Sequence, residues 1–370
     1  MKSKAKSIFR YSAIKGRIKP AVQAILPNNE TSTEDTALIF DAERDQRYAH
    51  SGIEIFNNIL TIFTQEWVGI RAASGSLPTH KLAISKDAVI GPFALRSILD
   101  FITDRKIKTI LVQGLSFGVV RAVRAVRASL PEIQILCVWH GAPAAWCYDE
   151  ERSLANLLLE CADTGVFNRI SIMKRGAHVL HPNAVPYLVP NLPPNVNIPR
   201  IHLPNSGSTR VALFGSWNNT WKNMYSNITA ACLTPKITNI ISYNSVDIKL
   251  PGSEKVKVAN YGGREAHLAL LSTTDVVLNA TILDCHPMVE LEALAVGTPS
   301  IRSYLDLDFG ENHPYEKLLT VKSPSNIREI SETLTTTIAI PSKELAEIVS
   351  EYRNLVFNTS IQRYAEFIEG

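Results

Sequence analysis

No stretch of this sequence holds the roughly 18 or more consecutive apolar residues that a membrane-spanning helix requires. Its opening residues also lack the compact apolar block of a secretory leader, so the expected compartment is the cytosol. Cysteine is scarce. The five (Cys137, Cys147, Cys161, Cys232 and Cys285) are odd in number, widely spaced and free of any CxxC pair. That pattern implies neither a disulfide framework nor a structural zinc site, and the cysteines read as reduced, mostly buried small hydrophobes. Acidic residues are missing from the front of the chain, where Lys2, Lys4, Lys6, Arg10, Lys15, Arg17 and Lys19 all precede the first acid, Glu30. Taking those seven positive charges from the net +3 leaves the remainder at −4, a mildly acidic body behind a basic front. Ile14, Ile18, Val22 and Ile25 recur there at helical spacing, and such a stripe beside basic residues suits residues 1–27 to an anionic lipid surface. Gly16 and Pro20 work against a helix, and a disordered basic tail is the competing reading.

At 370 residues and 45% hydrophobic, the chain has enough apolar mass for a large core, usually divided between two domains. From Ala37 onward, short β-branched runs alternate with longer helical ones: "TALIF" then "GIEIFNNILTIF", "KTILVQG" then "FGVVRAVRAVRASL", "IQILCVWHG" then "EERSLANLLLECA". Strand then helix, repeated, predicts a parallel sheet covered on both faces. Residues 190–210 carry five prolines and a Ser-Gly-Ser, which sustain neither pattern and read as a linker. The alternation restarts with "RVALFGSW" and runs through "DVVLNA", "MVELEALAVG" and "PSIRS". The expected organisation is a basic segment 1–30, a Rossmann-like domain 31–190, a linker 191–209, a second Rossmann-like domain 210–342, and C-terminal helices 343–370 crossing back to the first domain. Two such domains face each other across a cleft at the C-terminal ends of their sheets, where open α/β sheets bind ligands.

The most informative stretch is "DVVLNATILDCHPMVELEALAVGTPSI", residues 275–301. A strand, "DVVLNA", leads to an amphipathic helix whose first turn suits Pro287 and whose end is marked by Gly297. The free N–H groups within residues 286–289 at that helix start, Pro287 having none, attract anions and hydroxyl oxygens. Asp284 stands just before it and Glu292 lies one to two turns inside. Taken alone, Asp284 reads as a helix cap and Glu292 as a solvated face residue.

The run from Asp284 to Pro299 resembles the Glu-x7-Glu signature of retaining family-4-type glycosyltransferases, Glu-Gly-Phe-Pro-(x)4-Glu-Ala-(x)3-Gly-Thr-Pro, with the spacing kept throughout. The resemblance implies a GT-B fold in which Glu292 holds the ribose of a nucleotide-sugar. It gives Asp284 and the backbone of His286, Pro287 and Met288 the donor sugar. Asp284 departs from the family's glutamate by one methylene. "VALFGSWNNTWKN" resembles the family's Gly-Arg loop and following lysine, which gives Gly215 and Lys222 to the diphosphate. Ser216 stands where arginine is expected, so another cation must compensate. Arg264 in "YGGREAH" is a candidate substitute, although a solvated helix position is the better expectation for it. In the first domain "YAHSGIEIF" resembles the glycine loop after the first strand, with Gly52 approaching substrate, and "ILCVWHGAP" resembles the strand-end histidine that reaches the donor sugar, His140. By this resemblance Asp284, His140 and Lys222 are catalytic, and a hexose passes with retention to a glycan or lipid-linked glycan in cell-surface polysaccharide synthesis. The scheme needs no metal and no cofactor beyond the nucleotide-sugar. The pair Asp306-x-Asp308 reads as a surface loop.

Three rivals stand beside this reading. Gly114-Leu115-Ser116-Phe117-Gly118 follows a strand and precedes a helix, the context of a serine-hydrolase nucleophile elbow at Ser116. Arg121, Arg124 and Arg127 form a helical stripe of the kind that meets nucleic-acid phosphates, but without interleaved aromatics a solvated face is expected. The third is a sugar-nucleotide-binding domain pair without transfer activity, or an epimerase.

Overall fold

The computed structural model describes residues 38–201, 210–247 and 249–370. The basic segment, its proposed helical stripe and its lipid contact lie outside the described residues, as does 202–209 of the linker. Among the described residues the alternation builds two six-stranded sheets. The first lobe runs β1 (Ile39–Phe40), α1 (Glu43–Gln46), β2 (Ile59–Thr64), α2 (Val68–Ser76), β3 (His80–Ile84), α3 (Pro92–Asp104), β4 (Thr109–Gln113), α4 (Phe117–Ser129), β5 (Gln134–Trp139), α5 (Asp149–Asp163) and β6 (Arg169–Ile172). The second runs β7 (Arg210–Phe214), α6 (Met224–Leu233), β8 (Ile237–Ser242), β9 (Val256–Val258), α7 (Arg264–Ser272), β10 (Val276–Asn279), α8 (Met288–Ala295), β11 (Ser300–Ser303), α9 (Pro314–Leu319), β12 (Thr320–Val321) and α10 (Ile327–Ala339), and ends in α11 (Ser342–Glu369).

The strand orders are β1-β3-β2-β4-β5-β6 and β12-β11-β10-β7-β8-β9. All pairings are parallel except that of β1 with β3. In the first sheet the order reverses between β2 and β4, and in the second between β7 and β10. These are the two crevices where an open α/β sheet receives ligands, beyond the C-terminal strand ends. β2 and β4 are buried along their whole length, as strands covered by helices on both faces must be.

That burial corrects one expectation. "GIEIFNNILTIF" is a single 3-10 turn, Glu54–Phe56, followed by the strand β2, rather than a helix. The residues of "ILTIF" are wanted on both faces at once, which only an interior strand provides. Among the described residues of "TALIF", Ile39 and Phe40 form the short edge strand β1.

α11 is anchored in both lobes. Near its middle, Tyr352 stacks flat on Tyr315 at 4.2 Å, and near its end Tyr364 packs edge-on against Phe56 and accepts a 2.7 Å hydrogen bond from the Gln113 amide.

The Gly114–Gly118 turn is structural. The Ser116 hydroxyl is buried, accepts from Thr64 at 2.8 Å and caps α4 through the Val119 N–H. A Cβ at Gly118 would lie 2.2 Å from the Ser85 carbonyl oxygen, so the helix start packs on backbone that cannot yield. Gly118→Ala is therefore expected to lower stability by ~1–3 kcal/mol. An unchanged midpoint in urea unfolding would refute that packing argument.

Candidate functional site

A cavity of about 350 Å³ opens at the β7–β10 crevice, and the first lobe closes its far side. The second lobe contributes Gly215 and Ser216 after β7, the Lys222 turn, Tyr243, Tyr261, Arg264 and His267, and from α8 Met288, Val289 and Glu292. The first lobe contributes Asp45 and the start of α2, including Gly69 and Arg71. A larger cavity of about 690 Å³ lies at the opposite, N-terminal edge of the second sheet, beside Arg210 and Thr273–Asp275. It is on the wrong side of the strands for a ligand of this architecture.

α8 is fixed at both ends. Gly297, at φ +79°, ends it in a Schellman turn, in which the Thr298 N–H reaches the Ala293 carbonyl at 2.8 Å and the Gly297 N–H the Leu294 carbonyl at 3.1 Å. At its start the linker residue Asn191 clasps His286, its N–H donating to Nδ1 at 3.0 Å and its side-chain amide to the His286 carbonyl at 2.9 Å. With Nδ1 an acceptor, Nε2 carries the proton. Burial, followed by Arg302 and His140, pulls the ring down to about 3, so it stays neutral. The His286 side chain thus locks the linker to α8, and only its backbone N–H stands at the helix tip. The helix is not amphipathic as expected, since all eight of its residues are buried.

Glu292 is therefore not a solvated position but 6% exposed at the cavity wall. Its Oε1 accepts from Arg264 Nε at 2.8 Å, and Oε2 lies 3.5 Å from His267 Nε2, too far for a good hydrogen bond and open to a better donor. Burial works to raise this carboxyl, but Arg264 and His267 together outweigh it and hold Glu292 below its ordinary value. Arg264, expected as a solvated helix residue, is corrected likewise. Its guanidinium sits 4.7 Å over the Tyr48 ring, so it joins Glu292 to the first lobe.

Lys222 and Asp284 pair at 2.5 Å, while the other Asp284 oxygen accepts from the Cys285 N–H at 3.0 Å. Burial opposes the lysine's charge, but the aspartate more than restores it, and the ammonium is held above its ordinary value. Lys174 of the first lobe donates to the Asp284 carbonyl. The shorter side chain at 284 is thus the counterion of Lys222 and does not line the cavity. Nearby, Gln113 donates its amide to Tyr364 and offers its carbonyl to His140 Nε2 at 2.7 Å, which leaves His140 Nδ1 facing Cys285 Sγ at 3.8 Å. Burial pulls His140 down to about 4, so it is neutral at physiological pH.

No family model matches the sequence, and no curated protein does. Solved structures do match. A glycosyltransferase from Rickettsia africae ESF-5 shares 11% identity at a TM-score of 0.52, covering 84% of this chain and 98% of its own. Sucrose-phosphate synthase from Thermosynechococcus elongatus shares 12% at 0.54, covering 83% and 97%. A UDP-forming α,α-trehalose-phosphate synthase from Burkholderia xenovorans, solved with glucose-6-phosphate, shares 9% at 0.51, covering 84% and 100%. The fold is GT-B. Both Rossmann-like sheets and the facing cleft are those of these glycosyltransferases.

Within the GT-B cleft the structure brings together Glu292, Lys222, Gly215 and Met288, with Pro287 at the helix tip. Gly215 is needed there for packing, since a Cβ would approach both His267 and Val289 at 3.0 Å. Gly52 does not join them. It is exposed, precedes β2 instead of following the first interior strand, and a Cβ there would meet nothing; Gly69, after β2, lines the cleft instead. Sequence reasoning also missed Asp45, whose Oδ2 is buried without a hydrogen bond, and Arg71, which donates to the Gln65 carbonyl and forms no ion pair among the described residues. Trp217, Tyr243 and Tyr261 form one wall, with rings 5.4–5.5 Å apart. The arginine stripe of α4 is spent within its own lobe, Arg121 on the Asp87 and Ala88 carbonyls, Arg124 on Glu160 and Arg127 on the Pro131, Ile133 and Val166 carbonyls. Asp306 and Asp308 likewise serve as lobe contacts, to Arg175 and to the Leu188 N–H.

Proposed function

We propose that this protein is a metal-independent glycosyltransferase that moves a hexose from a nucleoside-diphosphate sugar to a glycan or lipid-linked glycan hydroxyl, with retention. The observation that carries this reading is the buried Glu292 in the cleft wall, held below its ordinary value beside a lobe-bridging arginine, in a cavity that is also lined by Trp217, Tyr243 and Tyr261. On this reading Glu292 Oε2 accepts the ribose hydroxyls, and Trp217 and Tyr261 offer their faces to the nucleobase. The diphosphate lies against Lys222, the free amides at the start of α8, and Arg71. Arg71 supplies the charge that Ser216 lacks, and it does so from the opposite lobe, so donor binding would draw the two sheets together. As the sugar–phosphate bond breaks, negative charge grows on the diphosphate beside these groups. The acceptor oxygen bonds to the anomeric carbon and its proton passes to the departing phosphate. His140, neutral and bonded at both nitrogens, positions Cys285 and the Asp284 backbone rather than transferring a proton. The basic N-terminal sequence supports work at an anionic membrane face, in cell-surface polysaccharide assembly; no described helix is long and apolar enough to cross a membrane.

Thermal-shift screening with UDP-, GDP-, ADP-, CMP- and dTDP-sugars tests the site. One donor class is expected to stabilise the protein, by about 2.7 kcal/mol at one hundred times its Kd, and Glu292→Ala is expected to abolish that shift. No stabilisation by any of them, or a shift that survives Glu292→Ala, would overturn the assignment.

A further inference from the structure

Beside the cleft a second cavity, of about 320 Å³, opens at the C-terminal mouth of the first sheet. Its walls come from the ends of β4 and β5 (Gly114, Leu115, His140, Gly141), from Trp67 and Ile70 at the start of α2, and from Glu151 in the first turn of α5. The two cavities share the start of α2, which turns Trp67 and Ile70 to one and Gly69 and Arg71 to the other. His140, on the wall of the second cavity, touches Cys285, next to the Asp284–Lys222 pair. The Lys222 ammonium, on the wall of the first cavity, is thus joined through Asp284 and Cys285 to the wall of the second.

The walls of this cavity are apolar and aromatic, and they are rigidly built. The Trp139 ring stacks on Trp146 at 6.2 Å, and the backbone passes so tightly over it that a Cβ at Gly141 would stand 2.3 Å from the ring. Among the described residues no lysine or arginine lines it. Its single acid, Glu151, is half-buried, and among the described residues its side chain has neither a hydrogen bond nor an ion pair. The neighbouring Arg152 turns away to Asp149 and the Trp146 carbonyl. The α5 start, which would otherwise attract an anion, is already filled by Asp149, Glu150 and Glu151. Burial, then Glu150, raises the Glu151 carboxyl above its ordinary value, as expected of an acid without a cation nearby.

We propose that this cavity is the acceptor subsite and that Glu151 selects its occupant: an uncharged or aminated sugar, whose hydroxyl or ammonium groups donate to the carboxylate while its apolar face rests on Trp67, and not a sugar bearing a phosphomonoester. An aromatic wall with one unpaired carboxylate is suited to a polyol. A phosphate of charge near −2 would enter a confined space beside a like charge with no cation to offset it. This inference rests on the glycosyltransferase reading and adds the acceptor class to it.

The test pairs each probe sugar with its 6-phosphate (glucose, glucosamine and N-acetylglucosamine) as acceptors for the donor found by thermal shift, in the full chain and in Glu151→Gln and Glu151→Lys. The wild type is expected to favour the unphosphorylated member by at least ~10-fold in kcat/KM, Glu151→Gln to narrow that ratio and Glu151→Lys to reverse it, with the Glu292-dependent donor shift unchanged in both variants. A wild-type preference for the phosphates, a ratio indifferent to Glu151, or no transfer to any probe by a protein that still binds donor would overturn the acceptor assignment and leave the donor site standing. Loss of the donor shift in the wild type would instead remove the reading on which it rests.

Discussion

Lys222→Ala is expected to lower kcat for sugar transfer by ~10²–10³-fold, the usual effect of deleting one donor aimed at developing negative charge. The ground-state diphosphate is already anionic, so donor KM should rise as well. The larger effect should fall on kcat, because the leaving oxygen gains its charge only as the bond breaks. The variant also strips Asp284 of its counterion, turning a 2.5 Å ion pair into a bare carboxylate beside the departing phosphate. Lys222→Ala/Asp284→Ala separates two roles for the aspartate. If Asp284 only holds the ammonium, the double variant should be no worse than the single one. If it also grips the donor sugar, a further loss of about tenfold is expected. The deficit should not depend on pH between 6 and 9. Asp284 holds the Lys222 pKa above its ordinary value, so the group is fully protonated below that value and titrates only at more alkaline pH. Steady-state kinetics with the cognate donor decide the matter, and a kcat within a few fold of wild type would remove Lys222 from the chemistry.

What was legible in the sequence, and what was not, follows from how far each feature reaches along the chain. α8 could be read because its start, end and acidic residues lie within one short stretch, with Pro287 and Gly297 marking its ends. β7, β10 and β11 could be read for the same local reason, whereas the short edge strands β9 and β12 left no such pattern. Arg264 could not be placed, because its partners Glu292 and Tyr48 come from another helix and from the other lobe, and nothing in "YGGREAH" distinguishes such an arginine from a solvated one. Arg71 was invisible in the same way, since α2, "VGIRAASGS", carries no motif and becomes part of the cleft only when the lobes face each other. Gly52 was misplaced by one element. Once "ILTIF" is taken for the back half of a helix, the glycine before it falls after the first strand. With β2 recognised as the strand, the glycine that follows it is Gly69, in the first turn of α2. Glu290 has no role legible in the sequence, because its partner Arg302 lies on another element and the basicity of that arginine gives no hint that it is fully buried.

That partner sets the second large effect. Arg302→Met is expected to destabilise the fold by ~3–5 kcal/mol, because it leaves buried carboxylates without their cation. Arg302 on β11 donates to Glu290 of α8 at 2.8 Å, to Tyr352 of α11 at 3.0 Å and to Glu316 of α9, and Tyr352 donates to Glu316 at 2.7 Å. Four elements converge on one guanidinium with both its residue and Glu290 essentially inaccessible. Burial pushes Glu290 up to about 7, whereas the arginine, held charged by Glu290 and Tyr352 against its own burial, keeps its proton. In the variant Glu290 escapes part of the penalty by taking up a proton, so the loss should be smaller at pH 6 than at pH 8. At about 2 cal/mol/K of unfolding entropy per residue, the loss corresponds to a Tm lower by roughly 4–7 °C for a chain of this size. Removing the charges together, in Glu290→Met/Arg302→Met, should recover part of it, since apolar side chains of similar volume often replace a buried ion pair at little cost. A single variant that melts within about 1 °C of wild type would show that the cluster does not hold α8. Because this cluster braces the back of the helix whose front carries Glu292, the destabilised variant should also bind donor more weakly, without any change to a residue of the cleft.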